Sequence, residues 1–212
     1  MSEVSKRSLR TQKLKRLARH VVVTLGIIFV FFLILYLSIR PAPDRMSAEQ
    51  YRVYSDYLTP GLTGESHSLG TRDGIVVIYG RTPSGLASYR FLFGTFRHAK
   101  RNSPLLSLEP LVNLLLSNLY PRQLQRSFAL PASYTLMTDS ELALYPYEAF
   151  QKQFPNNYGY HTFTQVGFNR ELTEAIFYTE HICGLCGEGK YVYMRKLDGK
   201  WVVVGEAVTW IS

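Results

Sequence analysis

The stretch EAIFYTEHICGLCGEGKYVYMRKLDGKWVVVGEAVTWI, residues 174–211, decides the fold class. Residues 174–182, 190–197 and 201–211 are rich in β-branched and aromatic side chains and are separated by short polar or glycine-containing connections, which is the pattern of strands. Asp198-Gly199 between the last two runs is a strong hairpin signal, because a type I′ turn needs φ > 0, which Gly tolerates and Asp often accepts. With 163–168 as a fourth strand, the simplest topology is an antiparallel meander.

Upstream the rhythm changes. Tyr51, Tyr54 and Leu58 recur at helical spacing behind Ser47, a candidate N-cap, so a helix is expected over 47–58, stopped by Pro60-Gly61. Residues 59–74 read as a loop, 74–80 as a buried strand and 89–93 as a second strand. Ser107 resembles an N-cap for a helix over 108–119, with Pro110 tolerated in its first turn, and another helix is expected between 139 and 154. Helices packed on a mostly antiparallel late sheet make an α+β domain, loosely like the cystatin or NTF2 cone.

The chain has 212 residues, 46% of them hydrophobic and 19% charged, which suits one folded domain with an appendage. Of the net charge of +8, the first twenty residues carry +6, from Lys6, Arg7, Arg10, Lys13, Lys15, Arg16 and Arg19 against Glu3. Residues 21–212 are close to balanced, so the broad basic footprint of a nucleic-acid binder is missing and no nucleic-acid partner is expected.

The basic tract borders VVVTLGIIFVFFLILYLSI, residues 21–39, an uncharged stretch. As a helix it would extend about 28 Å, nearly the ~30 Å hydrocarbon core of a bilayer. The expected organisation is a basic cytoplasmic N-terminus (1–20), a transmembrane helix (21–39) in contact with membrane lipid, a linker (40–45) containing Pro41, Ala42 and Pro43, and an exported domain (46–212). Seven cations before the span against Arg40 and Arg45 after it orient the N-terminus inward. A cleaved signal peptide is the rival, although the apolar run is long for one and no Ala-x-Ala site follows.

Cys183-Gly184-Leu185-Cys186 holds both cysteines of the chain. A redox pair of the thioredoxin kind wants its first thiolate at a helix N-terminus, whereas Gly187, Gly189 and a strand-like run follow here. Zinc wants about four ligands, and His181, Glu188 and a distant His161 or His67 would have to complete the set. A structural disulfide between Cys183 and Cys186 asks only for a turn and an oxidising compartment. The structural disulfide is therefore the expected state, with a pair of free thiols, a redox pair and a metal site as its rivals.

Other chemistry is thinner. Gly64–Ser68 (GESHS) lacks the last glycine of a nucleophile elbow around Ser66. Glu171, Glu174, Glu180, Glu188 and Glu206 are not spaced as an acid–base pair, and the five histidines form no metal-binding pattern. Tyr158, Tyr160, Tyr178, Tyr191 and Tyr193 are candidates for sheet packing or for lining a ligand pocket. No catalytic, cofactor-binding or metal-binding residue is therefore assigned.

VGFN at 166–169, CGLCGEG at 183–189, KLDGKWVVV at 196–204 and the terminal WIS resemble a family of bacterial exported or membrane-anchored proteins, as do EQYRVYSDYL and VVIYGRT at 76–82. The resemblance implies an envelope setting and a single exported domain, and carries no reaction, cofactor or ligand with it. The expectation is thus a single-pass protein with an extracytoplasmic domain that binds a small ligand or an envelope protein. A membrane-anchored thiol–disulfide oxidoreductase at Cys183 and Cys186 is the alternative, and an envelope hydrolase a more distant one.

Overall fold

A computed structural model of the chain describes residues 19–33, 43–63, 75–83, 107–143, 147–154, 157, 159–184 and 186–212. The chain divides into two compact units, Met1–Arg40 and Pro41–Ser212. In the first, residues 19–33 form helix α1, whose large apolar side chains, from Val21 to Leu33, are exposed. The basic tract 1–18 and positions 34–39 of the expected span lie outside the described residues. Among the described residues no helix is long and apolar enough to cross a membrane.

The second unit is a mixed α+β fold. Its elements are α2 (Pro43–Leu62), β1 (Ile75–Tyr79), α3 (Glu109–Ser117), β2 (Ser133–Met137), α4 (Asp139–Ala143), α5 (Tyr147–Gln153), β3 (Tyr160–Phe163), β4 (Gly167–Phe168), β5 (Glu174–Cys183), β6 (Cys186–Leu197) and β7 (Lys200–Ile211). The seven strands form one sheet in the order β2-β1-β3-β5-β6-β7, with β4 beside β3 on the same edge of β5. Strands β3 to β7 pair antiparallel, while β1 runs parallel to both β2 and β3. Parallel pairs need long crossovers, and the segments carrying α3 and then α4 with α5 supply them.

Side-chain alternation sends β5 and β6 residues to two apolar layers. Phe177, Val192 and Met194 join Tyr51, Tyr54 and Leu58 of α2 on one face. On the other, Ile176, Tyr178, Tyr191 and Tyr193 meet Leu111 and Leu114 of α3, and further along Val77 and Tyr160 meet Phe150 of α5. Helix α2 is pinned as well as packed: Glu49 accepts hydrogen bonds from Trp201 Nε1 and Lys196 Nζ, both at 2.9 Å, and Asp56 accepts one from the Trp201 backbone N–H at 2.8 Å.

The Asp198-Gly199 turn closes the β6–β7 hairpin, with φ of 49° and 82° at the two positions. Elsewhere boundaries move. Helix α2 begins at Pro43 rather than 47, since a first helical position needs no N–H donor, and Ser47 lies inside it. It also runs through Pro60 into its last turn, where Thr59 Oγ1 bonds the Ser55 carbonyl at 2.7 Å and the Thr63 N–H bonds the Thr59 carbonyl at 3.0 Å. Ser107 does not cap α3: its hydroxyl and N–H both donate to Glu174, at 2.7 and 3.1 Å. The helix expected between 139 and 154 is two short ones, and β2 was not expected at all. The strand expected over 89–93 lies outside the described residues.

The expected strand 163–168 is broken at 164–166, where Thr164 Oγ1 accepts from the Tyr178 N–H at 2.8 Å and the Thr164 N–H donates to the Tyr178 carbonyl at 2.9 Å. Strand β6 starts at Cys186, four residues before its expected start, so the β5–β6 hairpin closes on the Cys183–Cys186 pair.

Candidate functional site

On the α2 side of the sheet a line of stacked rings leads out of the core. Phe128 stacks on Tyr54 (centroids 5.8 Å apart), Tyr54 on Phe163 (4.6 Å), Phe163 on His161 (6.2 Å) and His161 on His181 (4.7 Å). The last step follows from register, because His161 on β3 and His181 on β5 are direct cross-strand partners. The ladder next pairs His181 with Glu188, and Thr179 with Lys190. Across the final pair of strands, Glu188 meets Ile211, Lys190 meets Val208 and Val192 meets Glu206. An apolar face thus turns polar toward the hairpin tip.

Lys190 is the hub of this polar end. Its ammonium lies 2.9 Å from Glu188 and 3.3 Å from Glu206, and Tyr57 of α2 lies close enough to share it. Burial alone would pull the ammonium pKa down, but Tyr57 and the two carboxylates outweigh it and hold it above the usual lysine value. Burial pushes the Tyr57 hydroxyl up to about 12, against the opposing pull of Lys190.

The imidazoles are driven the other way. Burial, then the neighbouring His181 and Lys190, hold His161 well below its ordinary pKa. His181 is also lowered, by burial and Lys190 against the opposing charge of Glu188. Both rings are therefore neutral at pH 7, each offering one N–H and one bare nitrogen. Chemically the cluster can exchange hydrogen bonds with a polar ligand, and two carboxylates flank one cation.

Cys183 and Cys186 close the same hairpin two cross-strand pairs beyond His181 and Glu188. Their sulfurs are at disulfide distance, 2.09 Å, with Cα atoms 5.0 Å apart. On the opposite face Trp210 covers Gly187 and Gly189, and its Nε1 donates to Tyr178 Oη at 2.9 Å. A Cβ on Gly189 would sit 2.1 Å from that Nε1 and 2.2 Å from the Tyr178 hydroxyl. The glycines of CGLCGEG and the tryptophan of the C-terminal WIS are thus two halves of one contact.

Of the carboxylates singled out by sequence, Glu188 and Glu206 come together, around Lys190 rather than as an acid–base pair. Glu174 is buried against Ser107, Glu180 accepts from Tyr178 Oη at 3.0 Å, and Glu171 bonds Asn169. Tyr160, Tyr178, Tyr191 and Tyr193 belong to the packing layers. Ser66, His67 and Tyr158 lie outside the described residues, among which no group of three metal-ligating side chains occurs. Sequence reasoning missed Lys190, Tyr57 and the histidine stack. The tight turn between Cys183 and Cys186 holds the signal for part of it, since that register alone sets 181 opposite 188 and 179 opposite 190.

A separate cleft of about 560 Å³ lies between α2 and the segment after α3, lined by Ala48, Tyr51, Arg52, Ser55, Gln125, Ser127 and Ala129. Its charged group, Arg52, is engaged with Glu49 at 2.9 Å. No family model, curated protein or solved structure matches this chain.

Proposed function

We propose that the chain is a single-pass membrane protein whose exported α+β domain, a helix laid over a sheet in the manner of the cystatin or NTF2 cone, binds a ligand at the polar end of the α2-facing sheet. The observation that carries this reading is the convergence of His161, His181, Lys190, Glu188, Glu206 and Tyr57 on one otherwise apolar face. Titratable groups whose pKa values burial displaces, here His161, His181 and Tyr57, together with Lys190, concentrate at functional sites. Anchoring is supported by the exposed apolar side chains of α1 and by the basic tract before it. Against thiol exchange, Cys183 ends one strand and Cys186 begins the next, so neither thiol begins a helix whose N-terminus would acidify it.

Two measurements test the proposal. Full-length protein should stay with membranes in alkaline carbonate, and protease added to the outer face should digest the C-terminal domain. A thermal-shift screen of the detergent-solubilised chain should find stabilising ligands whose effect is lost in His181→Ala and Lys190→Gln. Ligands indifferent to both substitutions would place binding elsewhere and overturn the reading.

A further inference from the structure

We propose that the α3-facing side of the sheet, near the tip of the β5–β6 hairpin, binds a pyranose sugar, stacked on the Trp210 indole and hydrogen-bonded to the Glu180 carboxylate and the Thr162 hydroxyl. This surface is on the opposite side of the sheet from the histidine–lysine cluster, so the inference stands apart from the ligand site proposed above.

Trp210 is built as a plate. A Cβ on Gly187 would sit 3.0 Å from its Cη2 and Cζ3, and one on Gly189 would sit 2.7 Å from its Cδ1, so one ring face rests on glycine backbone. The Nε1 is held by Tyr178 Oη at 2.9 Å and by Glu180 Oε1 at 3.3 Å. The indole is nonetheless only part-buried. A ring fixed in this way offers its outer face to the C–H face of a sugar, whose slightly positive hydrogens complement the negative π-cloud.

The carboxylate comes next. Along β5 this side of the sheet carries Tyr178, Glu180 and Ile182, of which Tyr178 belongs to the apolar layer under α3 and Ile182 packs on the one under α5. Glu180 occupies the gap between the two layers. Its Oε1 takes the bonds from Tyr178 and Trp210, whereas its Oε2 receives none and no cation pairs with it among the described residues.

An aromatic plate beside a carboxylate does not by itself make a site. The second observation is Thr162, the direct cross-strand partner of Glu180 and therefore on the same side of the sheet. It is 7% exposed, and its Oγ1 is a buried side-chain atom with no hydrogen-bond partner among the described residues. Buried hydroxyls are rarely left unmet. A hydroxyl is met in full by a group that both donates and accepts, as a sugar hydroxyl does and an ammonium does not. Glu180 is part-exposed, so its side chain can turn outward to admit that group.

The test uses the full chain in micelles of a sugar-free detergent and saturation-transfer NMR. The probes are methyl glucopyranoside, the trisaccharides cellotriose and triacetylchitotriose, and tetramethylammonium. Saturable transfer to the ring C–H protons of a saccharide is expected, with affinity about tenfold weaker in Glu180→Gln and about fivefold weaker in Thr162→Val. Both substitutions keep the side-chain volume and so leave the packing around Trp210 in place. Tighter binding of a trisaccharide than of the methyl glycoside identifies an extended glycan as the source, and equal binding identifies a single terminal sugar. Transfer to tetramethylammonium and to no saccharide overturns the ligand class. Affinities equal in the parent and in both variants place the sugar elsewhere and overturn the proposal, as does a chain that transfers saturation to none of the probes.

Discussion

The imidazoles of His161 and His181 lie face to face across β3 and β5, with ring centroids 4.7 Å apart and planes inclined by 21°. Both titrate below the unfolded value of about 6.5, so in the window beneath that value the unfolded chain binds more protons than the folded one. Their contribution to stability is complete above pH 6.5 and is lost as pH falls from there through the folded pKa values. Each group adds a slope of up to about 1.4 kcal/mol per pH unit. Urea melts between pH 8 and 5 should show this loss, and His161→Phe, which keeps a stacked ring but cannot titrate, should flatten it. Equal slopes in the two proteins would contradict the argument.

Glu49 governs a different window. Burial by itself would raise its carboxyl pKa, yet hydrogen bonds from Lys196 and Trp201 and the charges of Lys196 and Arg52 lower it overall. A lowered carboxylate stabilises above its unfolded pKa of about 4.5 and loses that effect as pH falls through the folded value. Glu49→Ala leaves Lys196 and the Trp201 indole without their shared acceptor and should cost about 2 kcal/mol in chemical denaturation at pH 7. Glu49→Gln, which still accepts a bond, should cost less. A cost below a few tenths of a kcal/mol for Glu49→Ala would mean that packing alone holds α2.

The strands with local instructions were readable in the sequence, and the contacts between distant segments were not. Asp198-Gly199 announces its hairpin because the conformational demand and the residues that meet it are adjacent. Strand β2 went unseen because SYTLM is short and its partner β1 lies far upstream, with a parallel register that no turn specifies. Proline misled at position 60, where a helix one turn from its end has few hydrogen bonds to lose. The site divides the same way. The pairings of His181 with Glu188 and of Thr179 with Lys190 follow from one tight turn, but the positions of His161 and Tyr57 depend on tertiary packing.

Three glycines of the β6–β7 hairpin should respond to alanine in a graded way. At Gly189 the new methyl collides with the Trp210 indole and the Tyr178 hydroxyl, so Gly189→Ala must displace Trp210 and should cost about 1–3 kcal/mol, with altered tryptophan fluorescence. Gly199 has open space around it but a φ of 82°, so Gly199→Ala should cost about 1 kcal/mol through backbone strain alone and leave fluorescence unchanged. Gly205 has neither obstacle, and Gly205→Ala should be close to neutral. A neutral Gly189→Ala would deny that Trp210 and the CGLCGEG hairpin form one contact.

Cys183 and Cys186 are the closing cross-strand pair of the β5–β6 hairpin, already within disulfide distance. A bridge there encloses so short a loop that it restricts the unfolded chain little, and the chain-entropy estimate is about 2 kcal/mol. The domain core is built without it, from α2 and α3 against the sheet, so the double substitution Cys183→Ser with Cys186→Ser should fold and lose about that amount in urea. Its local effect should be larger than its global one. The His181–Glu188 pair lies two cross-strand pairs from the bridge, and the Gly187 carbonyl receives the Ser212 N–H at 3.0 Å. Hydrogen exchange should therefore quicken first around 181–188 and at the end of β7, while amides at the β1–β3 side of the sheet keep their protection. Alkylation followed by mass spectrometry on protein recovered from an exported compartment should find both thiols blocked until reductant is added. Two thiols alkylated without reductant would remove the bridge and its local protection from the account.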